Sequence, residues 1–391
     1  MSLRIIYGRS GSGKSYFCME EMRDRVKERS QNPLILVVPE QYSMQAERNL
    51  VKSMPSGGAI DAEVLSFRRM AYRVFGEVGG YTRRHINSSG KSMLIYGIIE
   101  KLKDELSFFN KVAGQSGFVG TISELISELK RYNIGPEMFG NLHSDIEDDV
   151  LKEKIKEISW IYSKFQETIH DRYIDADDDL TLMAEKLEES TQFNGAHIWI
   201  DEFSGFTPQE YGVIEALLKK ADRVNVCLST DYLFDEQAFG RDDVFAPIRN
   251  TAAKLVQLAN GNGIRVEKPI SFRERPFFRF RDNDELAHLE EYFFEYPHKR
   301  YMGKTQDIGI FTASNIYTEI EHVARGIQSL CREKGIRYRD IAVVTRNLEG
   351  YDRLISAIFP QYGIPFFIDK KKEIESHPLV TLILSMMDIF V

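Results

Sequence analysis

The chain has 391 residues, of which 43% are hydrophobic and 28% are charged, and its formal net charge is −8. This length predicts two or three domains. No apolar run approaches the ~20 residues of a membrane span, and the negative charge argues against a surface coated with nucleic acid throughout. The chain enters a strand at once, without a signal peptide, and Cys18, Cys227 and Cys331 are widely spaced. We therefore expect a cytoplasmic protein without disulfides or membrane contact.

The most informative segment is GRSGSGKS, residues Gly8–Ser15, which fits the phosphate-loop pattern G-x-x-x-x-G-K-[ST]. The apolar run Leu3–Tyr7 predicts a buried strand before it, and Lys14–Arg29 predicts a helix after it. In that context Lys14 reaches the β- and γ-phosphates of ATP, and the Ser15 hydroxyl ligates Mg²⁺. The predicted nucleotide ligands are Gly8, Gly11, Gly13, Lys14 and Ser15. The alternative is a glycine-rich turn at a helix start.

Two more buried strands are predicted at Leu34–Val38 and Val64–Phe67, and a basic, aromatic segment continues to Lys91. Between Val64 and Lys91 lie six basic residues and a single acid, Glu77. Basic side chains contact phosphates and aromatic rings stack on bases, so this composition is typical of a surface for single-stranded nucleic acid. A solvated helix face with core aromatics explains the segment equally well.

Residues 85–192 are predicted to form an all-helical insertion. The candidate helices are Gly90–Leu106, Val119–Tyr132, Asp145–Asp171 and Asp177–Glu189. The acids Asp177–Asp179 resemble a metal cluster, but acids at a helix N-terminus also suit the helix dipole. We expect them to cap the helix, and we expect no metal apart from the Mg²⁺ of a nucleotide.

The segment HIWIDEF, His197–Phe203, predicts an apolar strand that ends in two carboxylates. A phosphate-loop enzyme needs an aspartate at a strand end to hold Mg²⁺ and a further acid to orient the attacking water. Asp201 suits the first role and Glu202 the second. Alone the pattern is weak, because strands often end in acids, but together with the phosphate loop it becomes specific. Another strand is predicted at Arg223–Leu228.

The last third of the chain predicts a second α/β unit that begins near Asp307. Its predicted elements are a strand at residues 308–313, a helix at Tyr317–Lys334 and a strand at Asp340–Thr345. Before it, Phe272–Arg281 alternates aromatic residues and arginines, which fits a linker strand or, less well, a nucleic-acid contact. Residues 379–391 hold an apolar stretch that would be exposed at a chain end, so we expect an N-terminal fragment of a longer polypeptide.

The order of these parts resembles superfamily 1 helicases of the UvrD type. The resemblance extends to the second unit, where TEIEHVARGI precedes RYRDIAVVTRN. In those helicases the arginine of the last motif faces the γ-phosphate, and Arg346 matches it. The resemblance therefore implies that Arg346 acts with Glu202 in catalysis.

Three segments narrow the resemblance to the AddB (RexB) family, the B subunits of bacterial AddAB helicase–nucleases. They are VVPEQYSMQAER at 37–48, VLSFRRMAYRVFGEVGG at 64–80 and DEFSGFTPQEY at 201–211. The resemblance implies a heterodimer with the A subunit, which is the motor, and the processing of double-strand breaks for recombinational repair, including recognition of the Chi sequence. It also implies a nuclease domain with an iron–sulfur cluster beyond Val391.

Two elements of an active UvrD-type motor are missing. Seven residues precede Gly8 and none of them is the glutamine that reads adenine. The G-D-x-x-Q element that couples ATP to DNA is replaced by LSTDYLFDEQ at 228–237. The sequence therefore favours a subunit that binds ATP and single-stranded DNA with weak motor action. The alternatives are an autonomous translocase, which DNA-stimulated ATPase activity would reveal, and a nucleotide-binding kinase or regulator that does not bind DNA.

The predicted fold is thus an α/β phosphate-loop NTPase with RecA-like parallel sheets and the helical insertion. The predicted domains are residues 1–84 and 193–275 for the first RecA-like domain, 85–192 for the insertion, and 276–391 for the linker and second domain.

Six residues follow the strands of the first α/β part or the loop beyond the Asp-Glu strand, and we expect them to contact single-stranded DNA. They are Gln41, Ser43, Phe67, Arg69, Tyr72 and Phe206. Because ligands of open α/β sheets bind outside the carboxyl ends of the strands, these residues should lie on one face beside the nucleotide. The alternative is that Phe67 and Tyr72 belong to the core.

Overall fold

The computed structural model describes residues 1–28, 32–54, 62–80, 84–113, 115–142, 146–170, 172–233, 243–369, 377–387 and 389. Some positions of the predicted segments lie outside the described residues: Arg29, Tyr81, Arg83, Asp145, Asp171 and residues 234–242. The chain divides into two units, Met1–Met302 and Gly303–Val391. This division falls within the range 276–391 that the sequence predicts as linker and second domain.

A parallel sheet of seven strands organises the first unit. The strands of the described residues are β1 (Ser2–Tyr7), β2 (Leu34–Val37), β3 (Ala62–Leu65), β4 (Arg84–Ile86), β5 (Tyr173–Asp175), β6 (His197–Ile200), β7 (Arg223–Leu228), β8 (Arg265–Val266) and β9 (Ile270–Ser271). The order in the large sheet is β3-β2-β6-β7-β1-β8, and β9 also pairs with β1. Register is fixed by pairs such as Val37 with Ile200 and Ile6 with Cys227. The α/β class predicted from the sequence is confirmed.

Helices cover both faces of this sheet, which explains its continuous apolar strands. The helices of the first unit are α1 (Lys14–Lys27), α2 (Ser43–Ser53), α3 (Phe67–Val78), α4 (Ser88–Leu102), α5 (Ser116–Arg131), α6 (Pro136–Asn141), α7 (Asp149–Ile169), α8 (Asp179–Lys186), α9 (Pro208–Leu218), α10 (Ala246–Gly261) and α11 (Asp284–Tyr292). Along β6 the side chains alternate between faces. Ile198 and Ile200 pack with α3, α8 and α9, whereas Trp199 packs with α1 and α2.

The third strand is shorter at its C-terminal end than the sequence predicts. The prediction extends it through Val64–Phe67, but the strand ends at Leu65 and Phe67 begins α3. The reason is local: the Ser66 side chain accepts a hydrogen bond from the Arg69 backbone N–H and so caps the helix. The cap therefore begins α3 directly after the strand, and α3 packs against the core.

The insertion is mostly helical and has its own core, formed by α4, α5 and α7. The expectation that it is all-helical is wrong in one respect, because β4 and β5 form a short parallel pair. The acids next to β5 serve mainly as partners of two buried lysines. Lys91 donates to Asp175 and Asp177 at 2.8 and 2.7 Å, and Lys130 donates to Asp175 and Asp178 at 2.9 and 2.7 Å. These ion pairs tie α4 and α5 to β5 and to the turn that follows it.

The second unit contains α12 (Ile316–Glu333), α13 (Asp352–Gln361) and α14 (Pro378–Met387). The first two pack together through Ile320, Ala324, Ile355 and Ile358. The strands predicted at residues 308–313 and 340–345 are wrong for the described residues, where these segments are extended or turned without a strand partner. Backbone groups of a strand need a neighbouring strand to bond, and Ile310 and Val344 are 95% and 90% exposed. Across the described residues, every helix is too short or too polar to cross a membrane.

Candidate nucleotide and nucleic-acid site

The loop between β1 and α1 has a backbone that only glycine adopts readily. Gly11 and Gly13 have φ of +83° and +106°, in the left-handed region where a side chain is strained. At Gly8 a Cβ would lie 2.6 Å from the Phe272 carbonyl oxygen. The glycines predicted as phosphate ligands therefore form a close-fitting loop at the N-terminus of α1, where backbone N–H groups favour an anion.

The Lys14 side chain turns back and contacts the backbone of this loop. Its ammonium donates hydrogen bonds to the carbonyl oxygens of Gly8 and Arg9 at 2.7 and 3.2 Å. Burial lowers the pKa of Lys14, while Cys227 and the carboxylates of Asp201 and Glu202 oppose that shift. The ammonium is thus buried and hydrogen-bonded to neutral carbonyl groups, so a phosphate offers it a better partner.

The Asp-Glu pair lies directly opposite the loop, because β6 and β1 are separated only by β7. Asp201 is buried, and its carboxylate accepts the backbone N–H of Glu202 at 2.9 Å. Glu202 has φ of +67°, a strained conformation for a non-glycine residue. This bend brings its Oε1 to 3.1 Å from the Ser15 hydroxyl. A hydroxyl and two carboxylates converge here, and such oxygen ligands fit Mg²⁺.

A segment that sequence reasoning did not assign to this site covers the loop. We call residues 272–281 the strap. The Arg279 N–H donates to the Gly11 carbonyl oxygen at 3.0 Å, and the Phe278 ring stacks on Tyr16 with 5.7 Å between centroids. With Lys14, Ser15, Asp201 and Glu202, these residues line a cavity of about 440 Å³. The alternation of aromatic residues and arginines was the signal, but its contact with a loop more than 250 residues away is not readable from the sequence.

The strap is held against the phosphate loop by charge. Arg275 pairs with Glu290 and Glu291 of α11 at 3.3 and 3.1 Å, and Arg9 of the loop pairs with Glu290 at 2.6 Å. In the described residues the Arg279 side chain makes no ion pair with a carboxylate. Its guanidinium is therefore a second cation, besides Lys14, at the wall of this cavity.

The six predicted DNA residues follow β2, β3 and β6, three adjacent strands, and so lie at one edge of the sheet. Gln41, Arg69 and Tyr72 are exposed, and Phe206 is half-buried. Arg69 pairs with Glu47 at 2.5 Å, and the Tyr72 hydroxyl accepts from Arg68 at 2.9 Å. Ser43 is buried, with its hydroxyl 3.4 Å from the Pro39 carbonyl oxygen.

Phe67 occupies the core in this structure. It is 5% exposed and its ring contacts Phe203 and Phe206, with centroid distances of 5.4 and 6.4 Å. The alternative left open for Phe67 therefore describes its position here, whereas Tyr72 is 39% exposed. Arg346, the predicted catalytic arginine, is exposed in the second unit, and its role stays a prediction.

Comparison with known proteins identifies the family to which this chain belongs. The family model described as "ADDB, N-terminal" matches residues 5–290. This chain belongs to the AddB family. It is 51% identical over 389 residues to a protein of Clostridium botulinum (strain Loch Maree / Type A3) that is named as the B subunit of an ATP-dependent helicase/deoxyribonuclease. Proteins of the same name from Acetivibrio thermocellus and Clostridium tetani are 50% and 49% identical over 392 residues.

In each of these comparisons the match covers 100% of this chain and 34% of the relative. The chain thus spans about a third of the length of the curated AddB relatives that it matches. The resemblance to AddB that the sequence motifs indicated is confirmed.

Proposed function

We propose that this AddB-family chain is the part of the B subunit of an ATP-dependent helicase/deoxyribonuclease that binds Mg-ATP and single-stranded DNA. The observation that carries the nucleotide half is the single cavity in which Lys14 and Ser15 face Asp201 and Glu202. A buried cation and a hydroxyl after β1, and two carboxylates after β6, the next strand but one, are what a phosphate–magnesium complex requires. The proposed fold is accordingly that of a phosphate-loop, superfamily 1-like helicase.

Each side chain then has a defined task. Lys14, which donates to two carbonyl oxygens in this structure, would bind the β- and γ-phosphates, and the loop N–H groups would hold the phosphate oxygens. Ser15 and Asp201 hold Mg²⁺, which neutralises phosphate charge when bound. Glu202 would orient a water molecule, and the Ser15 hydroxyl, which donates to Glu202 in this structure, would be a ligand for the metal. Arg279 adds a cation from the strap. Arg346 is proposed, from the family resemblance, to face the γ-phosphate.

The DNA half of the proposal rests on the exposed groups at the same sheet edge. Tyr72 offers a ring for stacking, Arg69 a cation for a phosphate or a guanine edge, and Gln41 an amide for a base edge. Phe67 and Phe206 support this surface from below, and Ser43 fixes the turn after β2. By resemblance to its family, this is where the protein would read the Chi sequence during recombinational repair of double-strand breaks.

We also propose an assembly and a location. The relatives are named as one subunit of an enzyme, and we propose that this chain pairs with the A subunit in the cytoplasm. We attribute the nuclease chemistry, and the iron–sulfur cluster that the family resemblance implies, to residues that follow position 391 in the longer relatives.

Titration with Mg-ATP by isothermal calorimetry tests the nucleotide site. Lys14→Ala removes a charged donor, and such hydrogen bonds contribute roughly 1.5–3 kcal/mol, so affinity should fall at least tenfold. Lys27→Ala is the matched control, because Lys27 lies on the same helix but is exposed and pairs with Asp24 at 3.1 Å. Equal affinity of the wild type and Lys14→Ala would contradict the assignment.

A further inference from the structure

The end of α1 that lies away from the phosphate loop is joined to the sheet by a histidine. His197 is the first residue of β6 and is 5% exposed. Its ring Nε2 lies 2.8 Å from Nη1 of Arg25, which belongs to the last turn of α1. The contact links the helix that carries the phosphate loop to the strand that precedes the Asp-Glu pair, and none of the roles proposed above uses it.

This contact fixes the protonation state of the His197 ring. The guanidinium of Arg25 has N–H donors and no acceptor, so Nε2 of His197 is the acceptor and carries no hydrogen. A neutral imidazole then holds its hydrogen on Nδ1. That nitrogen is buried and has no hydrogen-bond partner among the residues that the structure describes. The structure thus contains His197 as the neutral Nδ1–H tautomer.

The charged groups around the ring have opposing effects on it. Arg25 and Arg223 oppose a positive charge on His197, whereas Asp222 and Glu21 favour one. Burial has the largest effect, and together with Arg25 it lowers the pKa of His197 from its ordinary value of 6.5. A charged ring is therefore disfavoured as long as Arg25 occupies its present position.

The carboxylate of Asp222 offers the ring a second partner. Its Oδ2 is 3.6 Å from Nε2 of His197, and the Asp222 side chain is 54% exposed. When Nε2 gains a proton from solvent, it can no longer accept from Arg25, and two cations then face each other. A hydrogen bond from Nε2–H to the carboxylate becomes the favourable arrangement. The protonation state of the ring thus selects between two partners on different elements.

We propose that His197 is a pH-sensitive latch on the last turn of α1. The neutral ring accepts from Arg25 and holds this turn against β6, whereas the protonated ring donates to Asp222 and releases the turn. The middle of α1 keeps a separate anchor, because Glu21 accepts from the Trp199 indole at 2.9 Å. The opening is therefore local to the end of the helix, and the inference does not depend on the proposed function.

The direction of the pH dependence follows from the coupling of protonation to opening. With the turn open, the His197 ring returns towards its ordinary pKa of 6.5, whereas the closed turn lowers that pKa. The open form therefore binds the extra proton. The latch is closed above pH 6.5 and opens progressively as the pH falls below that value.

Two measurements on the full chain test the latch. Long-range proton–nitrogen NMR spectra of histidine-labelled protein at pH 7.5 should show the His197 ring with its hydrogen on Nδ1. Amide hydrogen exchange at pH 7.5 and pH 5.5 should show protection factors of residues 25–28 that fall about threefold or more in acid. His197→Gln keeps a neutral acceptor for Arg25 without a titrating ring, so its protection factors should stay constant.

His288→Gln is the matched control. It removes a titrating ring from α11, where Nε2 of His288 lies 3.0 Å from the Lys299 carbonyl oxygen, and it should respond to pH like the wild type. A His197 ring with its hydrogen on Nε2 at pH 7.5 would overturn the proposal, and that result needs no variant. An equal loss of protection in the wild type and in His197→Gln would overturn it as well.

Discussion

Two aromatic residues of α3 differ in burial, although the sequence pattern does not distinguish them. Phe67 and Tyr72 are five positions apart, which on a helix places them well over a quarter-turn from each other. Phe67 packs into the core, whereas Tyr72 is exposed and lines a cleft of about 1120 Å³. Composition alone could not separate them, because both a DNA surface and an amphipathic helix interleave aromatic and basic residues.

Alanine variants at these two positions should have different effects. Phe67→Ala empties a core site and should lower the free energy of unfolding by about 3–5 kcal/mol. Tyr72→Ala should leave stability nearly unchanged and weaken binding of oligothymidine about tenfold, since stacking contributes roughly 1–3 kcal/mol per base. Urea denaturation and anisotropy measure the two quantities. Tyr96→Ala, an exposed tyrosine of the insertion, is the control, and a Tyr72→Ala protein that binds like it would exclude Tyr72 from the DNA surface.

Other residues of the site were predictable to different degrees. Lys14, Ser15, Asp201 and Glu202 could be predicted as candidates because their motifs are local in sequence. The left-handed backbone of Glu202 was not, since nothing in HIWIDEF signals it. Arg279 was missed because its contact with Gly11 joins distant parts of the chain.

At the scale of elements, the C-terminal end of α3 is tied to the segment before β6 by one carboxylate. Glu77 accepts hydrogen bonds from the hydroxyls of Ser190 and Thr191, and from the Thr191 N–H at 3.1 Å. These bonds, that of Ser190 foremost, lower the pKa of Glu77 to about 2. The folded state thus prefers the ionised carboxylate more than the unfolded state does.

This tie makes stability depend on pH in a defined window. Because the pKa is lowered on folding, Glu77 contributes stability above its ordinary pKa of 4.5, and that contribution is lost as the pH falls from there towards 2. Glu77→Gln should therefore unfold at a lower urea concentration than the wild type near neutral pH, and the difference should shrink in acid. Glu189→Gln, an exposed acid paired with Lys186, is the control. A difference between Glu77→Gln and the wild type that stays constant with pH would contradict this account.

About half of the strands and helices of the first unit could be predicted from the sequence. Arg223–Leu228 has the predicted bounds, and α1, α5 and β6 differ by a few residues at most. The short strands β4 and β5 could not be predicted, because three residues are too few to show the alternation of apolar and polar side chains that indicates a strand. In the second unit, the apolar segments at 308–313 and 340–345 resemble strands, but a strand forms only with a partner, and the described residues of that unit supply none.

At the scale of the whole first unit, the sheet order explains why two ligand sites can coexist. The phosphate loop follows β1, and the proposed DNA surface follows β2 and β3 on the far side of β6. Asp201 and Glu202 directly follow β6, the strand that lies between these two regions of the sheet. We therefore predict two separate sites along one sheet edge that share the Asp-Glu turn.

Amide hydrogen exchange of the same protein with each ligand in turn tests this claim most directly. Mg-ATP should protect the amides of residues 8–16 and of the strap, which contacts the loop through Arg279 and Gly11. Oligothymidine should instead protect residues 40–44 and 66–73, around Gln41, Arg69 and Tyr72. Saturating nucleotide that leaves residues 8–16 unprotected, or an oligonucleotide that protects the phosphate loop instead of residues 66–73, would contradict the account.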